Sequence, residues 1–273
     1  MNIQWFPGHM ERARKQIIQA INKTDIVVEL CDARVPESSR NPLLLKLIER
    51  KRHLVVFNRI DQTDMSRFQH WLSQQPAFSN EQGLLISCKP PKGIELLKLR
   101  LQQECKNLKN GGLRPGRILI VGIPNVGKSA LINILVQKKK TAVANRPGHT
   151  RGIQMVSGEQ GMMLLDSPGI LWPKFDEPEI GYKLALIGSV KPEILDPVEL
   201  LRYFFAHLIQ YHGEQLVSRY RLESKPENLD DLLVWIAKRR VPLMPHAQPD
   251  FHSAGFLLLK EFQEGYLGPI FLD

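Results

Sequence analysis

The stretch Gly122-Ile-Pro-Asn-Val-Gly127-Lys128-Ser129 constrains this chain more than any other. It fits the pattern G-x-x-x-x-G-K-[ST], with an apolar run at 118–121 before it and a helix-like run at 130–136 after it. Strand, glycine-rich turn and helix in that order form a phosphate cradle. The glycines let backbone N–H groups curl around an anion, and the helix N-terminus adds its dipole. Gly122, Asn125, Val126, Gly127 and Ala130 are the expected backbone of the cradle. Lys128 should reach the terminal phosphates of a nucleotide, and the Ser129 hydroxyl should ligate Mg²⁺.

The surrounding pattern supplies a sheet for that loop. Continuous apolar runs at 26–30, 54–57, 84–86, 118–121 and 162–165 alternate with helical patterns at 41–50, 64–74, 94–106 and 128–136. Such runs suit strands buried on both faces of a parallel sheet, which gives an α/β fold of the P-loop NTPase type. The last third has no strand alternation. Asp196-Pro197 with Glu199 reads as a helix start leading into 198–211, and 229–238 and 254–264 are two further amphipathic candidates, the last closed by Gly265. We therefore expect a sheet domain over 1–180 and a smaller all-α domain over 181–273. The change should fall in 172–181, where Pro173 and Pro178 stand among charges.

Asp166-Ser-Pro-Gly169 ends the run at 162–165. Asp166 is placed to hold Mg²⁺ through water, and Gly169 to offer its N–H to a γ-phosphate. Thr150, between the two motifs in Arg146-Pro-Gly-His-Thr150-Arg-Gly152, is a candidate second hydroxyl ligand to Mg²⁺. Asn58-Arg59-Ile60-Asp61 follows the run at 54–57 and resembles the guanine-reading N-K-x-D motif of GTPases, with Arg59 replacing the usual Lys. Its carboxylate accepts from guanine N1–H and the 2-amino group, a pattern adenine does not offer. Ser87-Cys88-Lys89 resembles the accompanying S-A-K motif, in which the middle residue's N–H meets the guanine oxygen. GTP is the expected ligand. The base-reading motifs precede the phosphate loop, the reverse of the ordinary GTPase order, so the motifs read as circularly permuted, with the old ends joined through 105–116.

Charge adds a partner. Residues 1–180 carry 27 Lys and Arg against 16 Asp and Glu, while 181–273 carry 10 against 12. That excess exceeds what a nucleotide needs and suits RNA. Arg12, Arg14 and Lys15, Arg50-Lys51-Arg52 and Lys138-Lys139-Lys140 are candidate contacts. Three scattered cysteines argue against disulfides and zinc, and no apolar run is long enough to span a bilayer. A cytoplasmic monomer is the expectation.

Taken together, these motifs, with Trp5-Phe-Pro-Gly-His9-Met10 at the start and Asp32-Ala-Arg-Val-Pro36 after the first strand, resemble the YlqF family of circularly permuted GTPases nearly end to end. The resemblance implies GTP hydrolysis, a helical C-terminal domain, and a role in assembling the large ribosomal subunit through its precursor and RNA. Many GTPases orient the attacking water with a Gln just after Asp-x-x-Gly, whereas Ile170 and Leu171 stand here. The resemblance points to His9 instead, and to Asn125 as a potassium ligand. The rival expectation is a GTP-sensing RNA-binding module with negligible turnover.

Overall fold

The computed structural model describes residues 8–75, 83–108, 114–136, 153–158, 161–175, 177–240 and 250–273. The chain divides into two compact units, Met1–Asp176 with Asp273, and Glu177–Leu272.

The first unit opens with helix α1 (Gly8–Asn22) and strand β1 (Ile26–Asp32). Then come α2 (Pro42–Ile48), β2 (Arg52–Asn58), α3 (Met65–Ser73), β3 (Leu84–Leu85), a short pair β4 (Ser87–Cys88) and β5 (Pro91–Lys92), and α4 (Ile94–Lys106). Strand β6 (Gly116–Val121), α5 (Lys128–Val136), β7 (Gln154–Ser157) and β8 (Met162–Asp166) complete it. The main sheet runs β3-β2-β1-β6-β8-β7 and is parallel except for β7, which pairs antiparallel with β8. Each residue of β1 is buried, as are the last four of β6, which accounts for their uninterrupted apolar runs. Asp32, the loop after β6 and Asp166, with the Asn58 and Ser87 segments, lie at the carboxyl edge of this sheet. Asp32 of β1 is in register with Asn58 of β2, and Ile120 of β6 with Asp166 of β8. Open α/β sheets bind ligands at that edge.

The described α-helices of the second unit are α6 (Pro178–Leu186), α7 (Pro197–Tyr220), α8 (Leu229–Arg240) and α9 (Phe251–Glu264), and no strand lies among its described residues. Asp196 caps α7 by accepting from the N–H of Val198 and Glu199, and Gly265 closes α9 at φ 83°. Helix α6 begins inside the stretch read as a linker, because Pro178 occupies a first-turn position. Helix α7 runs past Tyr211 across a kink at His212 (φ −137°).

Glu261 of α9 joins three helices. Its buried carboxylate accepts from Arg219 of α7 at 2.7 Å and Arg240 of α8 at 3.0 Å. Burial alone would raise its pKa, but the hydrogen bonds from Arg219 and the charges of Arg219 and Arg240 outweigh that and leave it lowered. The pair therefore stabilises the helical unit above the ordinary carboxylate pKa and loses that contribution as pH falls through the lowered value. Glu261→Ala strands two guanidinium groups, the more exposed of which can be rehydrated. We expect a loss of about 2–3 kcal/mol, read as a lower urea midpoint by circular dichroism. An unchanged midpoint would show that these pairs are energetically silent.

Candidate nucleotide site

Between β6 and α5 the chain turns through residues 122–127. Gly127 has φ +108°, and a side chain there would run into the amide of Asn58. Asn125 adopts a left-handed conformation as well, at φ 59°. The Lys128 ammonium is folded back into the loop, donating to the carbonyls of Gly122 (3.2 Å) and Ile123 (2.7 Å). It is 7% exposed. Burial pushes its pKa down to about 8, against an upward pull from Asp166. An amine so placed gains most from an incoming polyanion.

The Ser129 hydroxyl donates to the Asp166 carboxylate at 2.8 Å. A hydroxyl and a carboxylate converging beside Lys128 fit Mg²⁺, which takes oxygen ligands, needs few from the protein and fills its shell with water and phosphate. Among the described residues no group of three or more His, Cys, Asp and Glu could hold a metal. Beyond Asp166, Ser167 donates its hydroxyl to Ile120 at 2.6 Å. Gly169 then lies directly on the loop. A Cβ there would be 2.6 Å from the Pro124 backbone and 2.9 Å from the Lys128 ammonium.

On the other side of the loop, the Asn58 amide donates to the Val126 carbonyl (2.8 Å) and accepts from the Cys88 N–H (3.2 Å). It therefore ties the phosphate loop to the Ser87–Cys88 strand. The Cys88 N–H, which the resemblance aims at the guanine oxygen, here donates to Asn58. The Lys89 N–H is held by the Ser87 hydroxyl at 3.2 Å. The Cys88 thiol is raised to about 11 by burial, which makes it a poor nucleophile. Asp61 lies partly exposed on a 3-10 turn (Ile60–Gln62) whose first N–H bonds the Ile86 carbonyl at 3.3 Å.

Arg59 joins the base-reading turn to the phosphate loop. At φ 68° it opens the turn, and its guanidinium reaches the Asn125 carbonyl (3.3 Å), Gln62 (3.4 Å) and the Asp32 carboxylate (3.4 Å). Asp32 also accepts from Arg34 at 2.8 Å, and both are at most 1% exposed. Burial raises the Asp32 carboxyl, but the neighbouring Arg34 and Arg59 charges prevail and lower it. Sequence reading gave Asp32 and Arg34 no role. The available signal was the polar run 37–41 so soon after a buried strand.

Several expected residues fall elsewhere. The backbone of His9 belongs to α1, but its side chain lies outside the described residues, as do Thr150 and Lys138–Lys140 in their entirety. Three of the candidate RNA contacts are engaged within the fold: Arg14 pairs with Glu11 at 3.1 Å, Lys51 donates to the Thr24 carbonyl at 2.9 Å, and Arg52 pairs with Glu104 at 3.1 Å. Arg12, Lys15 and Arg50 are exposed.

Fold and site together define a P-loop GTPase with a permuted order of motifs. A family described as 50S ribosome-binding GTPase matches residues 117–200. Ribosome biogenesis GTPase A of Priestia megaterium is 39% identical over 283 residues, covering 100% of this chain and 97% of the relative. Mitochondrial ribosome-associated GTPase 1 of Mus musculus is 30% identical, covering 99% and 90%. Among solved structures, GNP-bound YlqF from T. maritima superposes with a TM-score of 0.67 at 25% identity, covering 96% of this chain and 97% of that one. The chain belongs to the YlqF family of circularly permuted GTPases, alongside ribosome biogenesis GTPase A. None of its described helices is long and apolar enough to cross a membrane.

Proposed function

We propose that this protein binds GTP with Mg²⁺ at the carboxyl edge of the sheet, hydrolyses it, and uses the cycle to assist assembly of the large ribosomal subunit in the cytoplasm. The observation that carries the reading is the bracing of the phosphate loop by Asn58, which brings base-reading and phosphate-reading segments together from distant parts of the chain. Lys128 and the loop amides would hold the phosphates, Asp61 the guanine, and Ser129 with Asp166 the Mg²⁺, joined by Thr150. Mg²⁺ would neutralise charge on the phosphates. Gly169 would report the γ-phosphate. The names of the relatives supply the ribosomal partner, and the basic excess of 1–180 supplies a way to meet its RNA.

A second reading, a GTP sensor with negligible turnover, is favoured by one observation. Ile170 and Leu171 are each 1% exposed and apolar, so neither can orient the attacking water. We assign that task to His9, assisted by potassium at Asn125. Steady-state GTP turnover should rise when large ribosomal subunits are added, be faster in KCl than in NaCl, and fall strongly in His9→Ala with GTP affinity kept. Subunit binding should weaken steeply with salt as counterions are released. A parent protein that binds GTP but shows no turnover with or without subunits would establish the sensor reading instead.

A further inference from the structure

We propose that Asn41 is a positioning residue for γ-phosphate recognition, acting through the backbone just beyond Gly169; this rests on the reading of the site as a GTP site. Asn41 is 1% exposed and uses both ends of its amide. Its oxygen accepts from the Leu43 N–H at 2.9 Å, capping α2, and its nitrogen donates to the Ile170 carbonyl at 2.9 Å. Ile170 is itself buried, so its carbonyl needs a protein partner. On the other side of Gly169, the Ser167 hydroxyl is fastened to Ile120 of β6. Two side-chain hydrogen bonds thus bracket the sensor, and only Pro168 and Gly169 lie between the bracketing residues.

The segment that carries Asn41 is fastened at three points. The Ser39 hydroxyl accepts from the Asp32 N–H at 3.0 Å, Arg40 pairs with Glu29 in the middle of β1 at 2.9 Å, and Ser38 donates to the Asp273 carboxylate at 2.6 Å. The other end of the same segment is Asp32, which holds Arg59 against the phosphate loop. One largely buried segment, 32–41, therefore touches the nucleotide site twice, near the base through Arg59 and near the γ-phosphate through Ile170. A ligand that lacks the γ-phosphate makes no demand on Gly169. The Asn41 bond should accordingly favour GTP over GDP and leave GDP affinity alone.

Asn41→Asp separates this role from helix capping. A carboxylate still accepts from Leu43 and suits a helix N-terminus, but it cannot donate to Ile170 and repels its carbonyl. We expect GDP affinity within about twofold of the parent, and affinity for a non-hydrolysable GTP analogue reduced roughly 5- to 30-fold, as for the loss of one buried hydrogen bond. Hydrogen exchange should rise at 169–171 and stay unchanged at 43–48. Asn41→Ser, another good cap with a shorter side chain, should repeat the pattern and serves if the aspartate variant does not fold. Equal losses of both nucleotides with a lowered melting temperature, or an unchanged ratio of the two affinities, would overturn the positioning role. A parent that binds neither nucleotide would overturn the underlying reading of the site.

Discussion

Lys128→Ala is expected to lose about 3–4 kcal/mol of nucleotide binding, roughly 150- to 1000-fold in affinity, because two charge-assisted contacts to phosphate go with one side chain. Lys128→Met, which keeps the apolar stem, should lose nearly as much, since the stem packs but the charge binds. Isothermal titration with GTP and GDP measures it, with circular dichroism to show that α5 persists. The buried position of the ammonium adds a pH signature. Its pKa is pushed down to about 8, so the folded protein releases that proton more readily than the unfolded chain. Between about pH 8 and the ordinary lysine pKa the unfolded state binds more protons, and stability of the free protein gains as pH rises. Nucleotide binding runs the other way, because phosphate needs the charged amine. Affinity should fall about twofold from pH 7 to 8 and roughly tenfold by pH 9. Wild-type affinity in Lys128→Ala would remove this loop from the nucleotide site.

The parts of this molecule that were legible in the sequence are those encoded by contiguous residues. The phosphate loop is eight consecutive residues between a buried strand and a helix, and α4 and α5 fall at 94–106 and 128–136 as their periodicity indicates. Strand β7 escaped because Gln154-Met-Val-Ser157 is a largely exposed edge with no apolar run to mark it. Helix α6 escaped because Pro178 reads equally as linker or as first helical residue, and packing decides. Helix α7 seemed to stop at Tyr211 because His212-Gly213 breaks the local pattern, yet the helix resumes beyond the kink to bury Leu216 and Tyr220. The supporting frame of the site was hidden for another reason. Asn41 meets Ile170 across 129 residues, and Asn58 meets Val126 across 68. Such pairs leave no periodicity and no spacing, since only the permuted sheet brings their strands to one edge. The resemblance to a family located the motifs but gave the segment 37–41 no task.

Asp61→Asn should change which base the site accepts. The carboxylate stands on the turn after β2, opened by the left-handed Arg59 and fastened through Ile60 to the Ile86 carbonyl. That places Asp61 beside the segment of Ser87 and Cys88, where the edge of a base would enter. A carboxylate accepts two N–H bonds from guanine, from N1 and from the 2-amino group. An asparagine offers one oxygen and one NH₂, so the amide faces the 2-amino group donor to donor. Losing one charge-assisted pair costs about 1.5–3 kcal/mol, roughly 10- to 100-fold in GTP affinity. The same amide suits xanthine, whose 2-oxo group accepts where guanine donates, so XTP should bind the variant better than GTP. Asparagine is nearly isosteric and the position is only partly buried, so stability should be unchanged. Competition among GTP, XTP and ATP for the parent and the variant gives the answer directly. If GTP affinity is the same in both, or if ATP competes with GTP in the parent at equal concentration, Asp61 does not read the base and the nucleotide is held by its phosphates alone.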